Sequence, residues 1–281
     1  MTRQSIKRTT TVNPTWCPGC GNFGIFGAIK LALDQLNIQS HELALVYDIG
    51  CSSNLADFFY SYGFHGLHGR ALPVAAGIKL ANSKLPVIAI IGDGGCFGEG
   101  ISHFIAAARG NHDIVVLSYN NYLYSLTTGQ MSPTSKKGTV TPSTPNGSLE
   151  EAFNPLATAL VNHASFVSRG FAGNIPELAQ IIKAAITHPG FAFVDLLQPC
   201  VTYNQNLPYD WYRKNSYDLK SVNHNPADFQ AALTKALETD KLPIGIFYKQ
   251  EKPTYHSQLL PAKNTILAQA DISTISLAEI F

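Results

Sequence analysis

Apolar residues fall at helical spacing from Asn22 to Leu36 (Phe23, Ile25, Phe26, Ile29, Leu31, Leu33, Leu36), which predicts a helix directly after the turn Cys17-Pro18-Gly19-Cys20. Leu43–Tyr47 reads as a short buried strand ending at Asp48-Ile49-Gly50-Cys51. Leu67–Leu80 is a loop, with His68-Gly69-Arg70 near its start, that leads into a small-residue helix. Leu85–Ile91 is a β-rich apolar run suited to a central parallel strand. Ile101–Ala108 predicts a helix and Asp113–Tyr119 the next strand. Gly129–Ser148, rich in Pro, Ser, Thr and Gly, predicts a long surface or active-site loop. Helices over Leu149–Asn162 and Ile175–Thr187 flank a weak strand at Ser165–Val167, and a strand over Phe191–Leu197 ends at Gln198-Pro199-Cys200.

Strands alternating with helices imply an α/β fold, a doubly wound parallel sheet. Three motif-bearing segments lie just past the carboxyl ends of strands, where open α/β sheets bind ligands. The chain shows no internal repeat. It divides into a domain over 1–225 and a C-terminal extension over 226–281. The extension holds a helix (Asp228–Leu237), a strand (Ile244–Tyr248) and a tail without clear periodicity, expected to dock on the domain or on a partner.

Composition adds two things. Hydrophobic residues make up 45% and charged residues only 14%, against an ordinary charged share of about 25%, so part of the surface is expected to be covered by another chain. A formal net charge of +1 gives no electrostatic reason to bind nucleic acid or an anionic membrane. No apolar run approaches the roughly 18 residues of a membrane span. Met1–Val12 is basic and Thr-rich but lacks a signal peptide's apolar region, so the expected location is cytoplasmic.

An odd count of five cysteines favours metal or redox use over a disulfide framework. Cys17, Cys20, Cys51 and Cys200 could hold either Zn²⁺ or an iron–sulfur cluster, because both accept four thiolates and spacing does not separate them. Cys96 is left over, and reads first as a small buried hydrophobe. Phe64–Arg70 gathers His65, His68 and Arg70, which could neutralise a phosphate or a carboxylate.

Gly92-Asp93-Gly94 after a strand, with Asn121 downstream, resembles the thiamine diphosphate motif. The residue types suit the task. A diphosphate needs a hard divalent ion with oxygen ligands, and glycines let the backbone approach the phosphates. By that resemblance the Mg²⁺ ligands are Asp93, the Asn121 side chain and the main-chain oxygen of Leu123. A thiamine motif beside four cysteines tilts those cysteines toward a [4Fe–4S] cluster, since inert Zn²⁺ could not take electrons from a thiamine-bound intermediate.

From Thr15 to about Asn206 the chain resembles the β subunits of 2-oxoacid:ferredoxin oxidoreductases of the pyruvate or 2-oxoglutarate type. The landmarks are Trp16–Gly21, Asp48–Ser52, His68–Pro73, Gly92–Gly94, Asn121, Leu126–Thr134 and Gln198–Cys200. The resemblance implies a pyrophosphate-type thiamine-binding domain with Cys17, Cys20, Cys51 and Cys200 as cluster ligands. Ile49, Gly50, Ser52 and His68 would approach the cofactor with Gly92, Asp93, Gly94, Gly95 and Asn121. Leu126 and Thr127 would also bind the cofactor, the loop from Leu126 to Gln130 would face the substrate, and His68 and Thr128 are the expected catalytic side chains. It also implies an α subunit that bears the partner domain, coenzyme A as acyl acceptor, and ferredoxin as electron acceptor. Three departures stand out. Gly95 replaces a common second acidic residue, Glu99 puts charge at a usually apolar position, and Thr128 stands where other members carry Lys or Gly. Two other readings are a non-oxidative thiamine-dependent decarboxylase or carboligase and a zinc-stapled thiamine-binding subunit without activity.

Overall fold

The strand segments are apolar at nearly every position and so require cover on both faces. A computed structural model, which describes residues 6–259 and 266–269, provides it. The strands are β1 (Ala44–Tyr47), β2 (Tyr62–His65), β3 (Val87–Gly92), β4 (Val115–Asn120), β5 (Leu123–Tyr124), β6 (Gln130–Met131), β7 (Phe166–Phe171), β8 (Ala192–Leu197), β9 (Ser216–Asp218) and β10 (Leu242–Lys249). The main sheet runs β2-β1-β3-β4-β8-β7-β10-β9, while β5 and β6 form a separate antiparallel hairpin. Pairing in the main sheet is parallel throughout except between β7 and β10. The expected doubly wound sheet is present, with that one antiparallel junction added.

Alternate strand residues feed two separate apolar layers. On one face α1 (Gly21–Gln35) sends Ile25, Ile29 and Leu33 against Leu45, Tyr47, Ile88 and Ile90. On the other, α2 (Ala71–Ala81) and α3 (Ile101–Arg109) bury Leu72 and Phe104 with Val46, Ala89, Ile91 and Val116. The remaining long helices sort in the same way: α4 (Pro155–Val161) joins the second layer, and α5 (Ile175–Thr187) packs beside α1 in the first.

Two expectations change and a third is narrowed. The helix expected from Leu149 begins at Pro155, because proline disfavours helical backbone at Asn154, whose side chain instead accepts from Ala157 N. The stretch after Gly129, expected as a surface or active-site loop, follows the second alternative: it turns inward, burying Ser132, Thr134 and Ser135, the first two against Asp93. The boundary expected at 225–226 falls between β9 and β10, which pair with each other, so residues up to Lys249 are built into the sheet and are not an appendage. The expected tail lies partly outside the described residues, at 260–265 and 270–281, as do residues 1–5 of the basic N-terminus. Among the described residues, no helix is long and apolar enough to cross a membrane.

Chain direction explains where a crevice forms. From β1 the sheet extends one way to β2 and the other way to β3 and β4. The segments leaving the carboxyl ends of β1 and β3 therefore diverge and leave a cleft between them.

Candidate active site

Because β1, β3, β4 and β8 are successive parallel neighbours, their carboxyl ends lie side by side. The segments Asp48–Cys51, Gly92–Gly94, Asn120–Asn121 and Gln198–Cys200 thus assemble into one row although they are far apart in sequence. A cavity opens over this row. Its walls include Ile49, Gly50, Ser52, His68, Gly92, Asp93, Gly94, Gly95, Asn121, Leu123, Leu126 and Thr127, which are the expected cofactor residues, together with Tyr119, Tyr124 and Ser125.

Asp93 is 1% exposed and receives two hydroxyl hydrogen bonds on Oδ2, from Ser132 at 2.6 Å and Thr134 at 2.5 Å. Burial pushes its carboxyl up to about 6, opposed by those two hydroxyls. The Asn121 side chain donates through Nδ2 to Gln198 Oε1 at 2.7 Å, and its Oδ1 accepts from Leu123 N and Ser125 Oγ. Ser52 Oγ is buried without a partner in the same wall. Among the described residues no lysine or arginine lines the cavity. A buried carboxylate, an oriented amide, an orphaned hydroxyl and glycine backbone form an oxygen-rich donor set. It fits an anion carried by a hard divalent cation. The close packing requires the glycines: a β-carbon on Gly94 would lie 2.3 Å from the Tyr124 ring.

A second cavity has Cys17, Cys20, Cys51 and Cys200 in its lining. Cys17-Pro18-Gly19-Cys20 makes a tight turn with proline second, Gly19 third at φ +82°, and Cys20 N donating to Cys17 O. Trp16 Nε1 and Asn22 Nδ2 both donate to the Cys51 carbonyl, and Gly21 N donates to Pro199 O. These bonds draw three separate segments to one point. Burial raises the Cys20 thiol to about 12 and the Cys51 thiol to about 11, with neighbouring cysteines adding to the effect. Among the described residues, no group of three or more His, Cys, Asp or Glu side chains is arranged to hold a metal ion. Four thiols lining one cavity are a donor set that either Zn²⁺ or an iron–sulfur cluster accepts. Cys51, Asn121, Ser125 and Leu126 line both cavities and form their common wall.

Thr128 is the expected site residue that lines neither cavity. It sits exposed in the β5–β6 turn at φ +80°, a left-handed conformation that favours glycine. Glu99 ends a π-helical turn, Gly95–Glu99, that precedes α3, and accepts a hydrogen bond from the Tyr124 hydroxyl at 3.1 Å. Its charge therefore stays at the surface. Cys96 is fully buried, as its bland reading expected. Ser132, Thr134 and Gln198 stood inside quoted motifs, yet nothing in the sequence indicated that they hold Asp93 and Asn121.

The family described as thiamine pyrophosphate enzyme, C-terminal TPP binding domain, matches residues 48–196. The family for the C-terminal part of the pyruvate ferredoxin oxidoreductase beta subunit matches residues 200–264. A 2-oxoacid:ferredoxin oxidoreductase subunit beta from a Sulfolobus species is 41% identical to the chain, over 92% of this chain and 93% of that protein. The chain belongs to the 2-oxoacid:ferredoxin oxidoreductase β subunits. Similar to it within this family is the 2-oxoglutarate oxidoreductase subunit KorB of Mycobacterium tuberculosis, 41% identical over 74% of this chain and 55% of its own. The solved 2-oxoglutarate:ferredoxin oxidoreductase from Magnetococcus marinus, with 2-oxoglutarate, coenzyme A and succinyl-CoA bound, superimposes with a TM-score of 0.87 at 38% identity, covering 90% of this chain and 87% of that one. In this β subunit the two family matches meet between β8 and Cys200, so the four-thiol cavity spans both matched regions and the segment ahead of them.

Proposed function

We propose that this β subunit, with an α subunit, catalyses the oxidative decarboxylation of a 2-oxoacid, pyruvate or 2-oxoglutarate, to acyl-CoA and CO₂, passing electrons to ferredoxin in the cytoplasm. Thiamine diphosphate with Mg²⁺ belongs in the first cavity and one [4Fe–4S] cluster in the second. When bound, the former supplies an electron sink for decarboxylation and the latter accepts electrons one at a time. The observation that supports the reading is the common wall: Cys51 and Asn121 line both cavities, so on this reading a carbanion-stabilising cofactor and a one-electron acceptor would sit on two sides of one layer.

The chain's own residues divide the work. Asp93, the Asn121 side chain and the Leu123 carbonyl hold the divalent ion, and Ser132 and Thr134 fix the Asp93 carboxylate. Backbone at Gly92, Gly94 and Gly95 gives the diphosphate a close approach. Ile49, Gly50 and Ser52 complete the cofactor wall, while His68, beside Tyr124, offers an imidazole hydrogen bond at the cavity mouth. Leu126 and Thr127 face the substrate, and Thr128 shapes the turn that presents them. Cys17, Cys20, Cys51 and Cys200 ligate the cluster, displacing protons that burial otherwise holds on Cys20 and Cys51.

The test is anaerobic co-purification with the α subunit followed by electron paramagnetic resonance after adding a 2-oxoacid and coenzyme A. A reduced [4Fe–4S] signal that requires both substrate and thiamine diphosphate is expected, and the acid that produces it names the substrate. Absence of iron, or a cluster that no 2-oxoacid reduces, would leave a zinc-stapled or non-oxidative thiamine protein.

A further inference from the structure

Gln198 follows β8 and is 1% exposed. Its Oε1 accepts from Asn121 Nδ2 at 2.7 Å, and its Nε2 donates to Cys20 Sγ at 3.3 Å and to Pro199 O at 2.9 Å. A carboxamide has two N–H donors, and both are used here, which fixes the end that carries oxygen. The orientation of Asn121 follows. With Nδ2 committed to Gln198, Oδ1 is turned toward Leu123 and Ser125, both in the wall of the first cavity. The start of α1 is pressed onto the same side chain: a β-carbon on Gly21 would lie 3.0 Å from Gln198 Cγ and 2.8 Å from Pro199 Cδ. Glycine at 21 thus allows Cys20 to come within reach of the amide.

We infer that Gln198 is a positioning residue that joins the two sites, orienting the Asn121 amide for the divalent ion and tuning the cluster through an N–H donated to the Cys20 sulfur. The inference rests on the cluster reading proposed above. Hydrogen bonds to cluster sulfurs are among the determinants of reduction potential. The positive end of the amide dipole stabilises the more negative, reduced form, so losing the donor moves the potential to more negative values. Outer groups that orient a ligand typically change metal affinity about 10–100-fold when removed.

Two variants separate the halves of this role, measured in the anaerobically purified αβ complex. Gln198→Leu removes both contacts. The midpoint potential of the cluster, titrated by electron paramagnetic resonance, is expected to fall, and calorimetry should show the Kd for Mg²⁺–thiamine diphosphate rising about tenfold or more. Gln198→Glu at alkaline pH keeps an acceptor for Asn121 Nδ2 but offers no N–H to Cys20. The potential should fall while cofactor affinity stays near that of the wild type. A merely structural role would leave the potential of an iron-loaded variant unmoved. Wild-type potentials in both iron-loaded variants would overturn the bridge. A wild-type complex without iron would overturn the cluster reading first, and the bridge with it.

Discussion

A β-carbon built on Gly95 would stand 1.9 Å from Oδ2 of Asp48. Asp48 follows β1 and Gly95 opens the turn after β3, so the pairing of β1 with β3 puts the carboxylate against the turn. Asp48 Oδ1 accepts from Gly69 N at 2.6 Å, while Oδ2 is buried without a partner. This explains the missing acidic residue after Gly-Asp-Gly: a second carboxylate would meet Asp48 in both volume and charge.

Gly95→Ala is therefore expected to lower stability by about 1–3 kcal/mol, the usual range for overpacking a filled interior. Thermal unfolding measures it. A second substitution, Asp48→Ala, should recover part of the loss, because the two residues are in contact and their effects couple. Additive losses would show that the clash is relieved elsewhere.

Asp48 also sets a pH dependence. Burial raises its carboxyl from 3.8 to about 6, opposed by the amides of Ile49 and Gly69 and by His68, and reinforced by Glu99. The folded state thus holds this proton more tightly than the unfolded chain. Its contribution is most favourable below pH 4 and is lost as pH rises from about 4 to about 6. Asp48→Asn should flatten that part of the stability profile relative to wild type and raise stability at pH 7–8 by on the order of 1–3 kcal/mol, seen as a higher Tm. Wild-type and variant curves that run parallel between pH 4 and 7 would refute the assignment.

Removing the Asp93 carboxylate should abolish Mg²⁺-dependent binding of thiamine diphosphate. Asp93→Ala tests this by calorimetry, where wild-type affinity would reject the role. Thr134→Val deletes one of the two hydroxyls that hold Oδ2 and should weaken affinity about tenfold.

Cys51→Ser should leave thiamine diphosphate affinity within a few-fold of wild type while abolishing ferredoxin reduction. Cys51 lies in the wall that the two cavities share, and the substitution changes only its sulfur, leaving Asp93 and the hydrogen bonds of Asn121 untouched. Undiminished ferredoxin reduction would remove Cys51 from the ligand set.

The cofactor row was legible because its residues punctuate strand ends: Gly92-Asp93-Gly94 and Gln198-Pro199-Cys200 each stop an apolar run where parallel sheets open their crevice. The hydroxyls of Ser132 and Thr134 were not, because a Pro/Ser/Thr-rich stretch reads equally as a surface or an active-site loop and only tertiary packing selects which hydroxyls reach Asp93. β2 was missed for a related reason. Its four residues are all exposed at the sheet edge and carry no burial pattern. The conformation of Thr128 was invisible as well, since a positive φ at a non-glycine residue leaves no trace in composition.

The four thiols have a consequence for the order of maturation. Cys17 and Cys20 precede β1, Cys51 follows it, and Cys200 follows β8, which reaches β1 only across β3 and β4. No short peptide of this chain carries a complete ligand set, unlike a small metal-nucleated domain whose ligands lie close in sequence. The sheet must align its strand ends before a cluster can be held by all four cysteines. On the proposed reading, iron enters a protein that has already folded, and the apo form is a waystation with its topology complete.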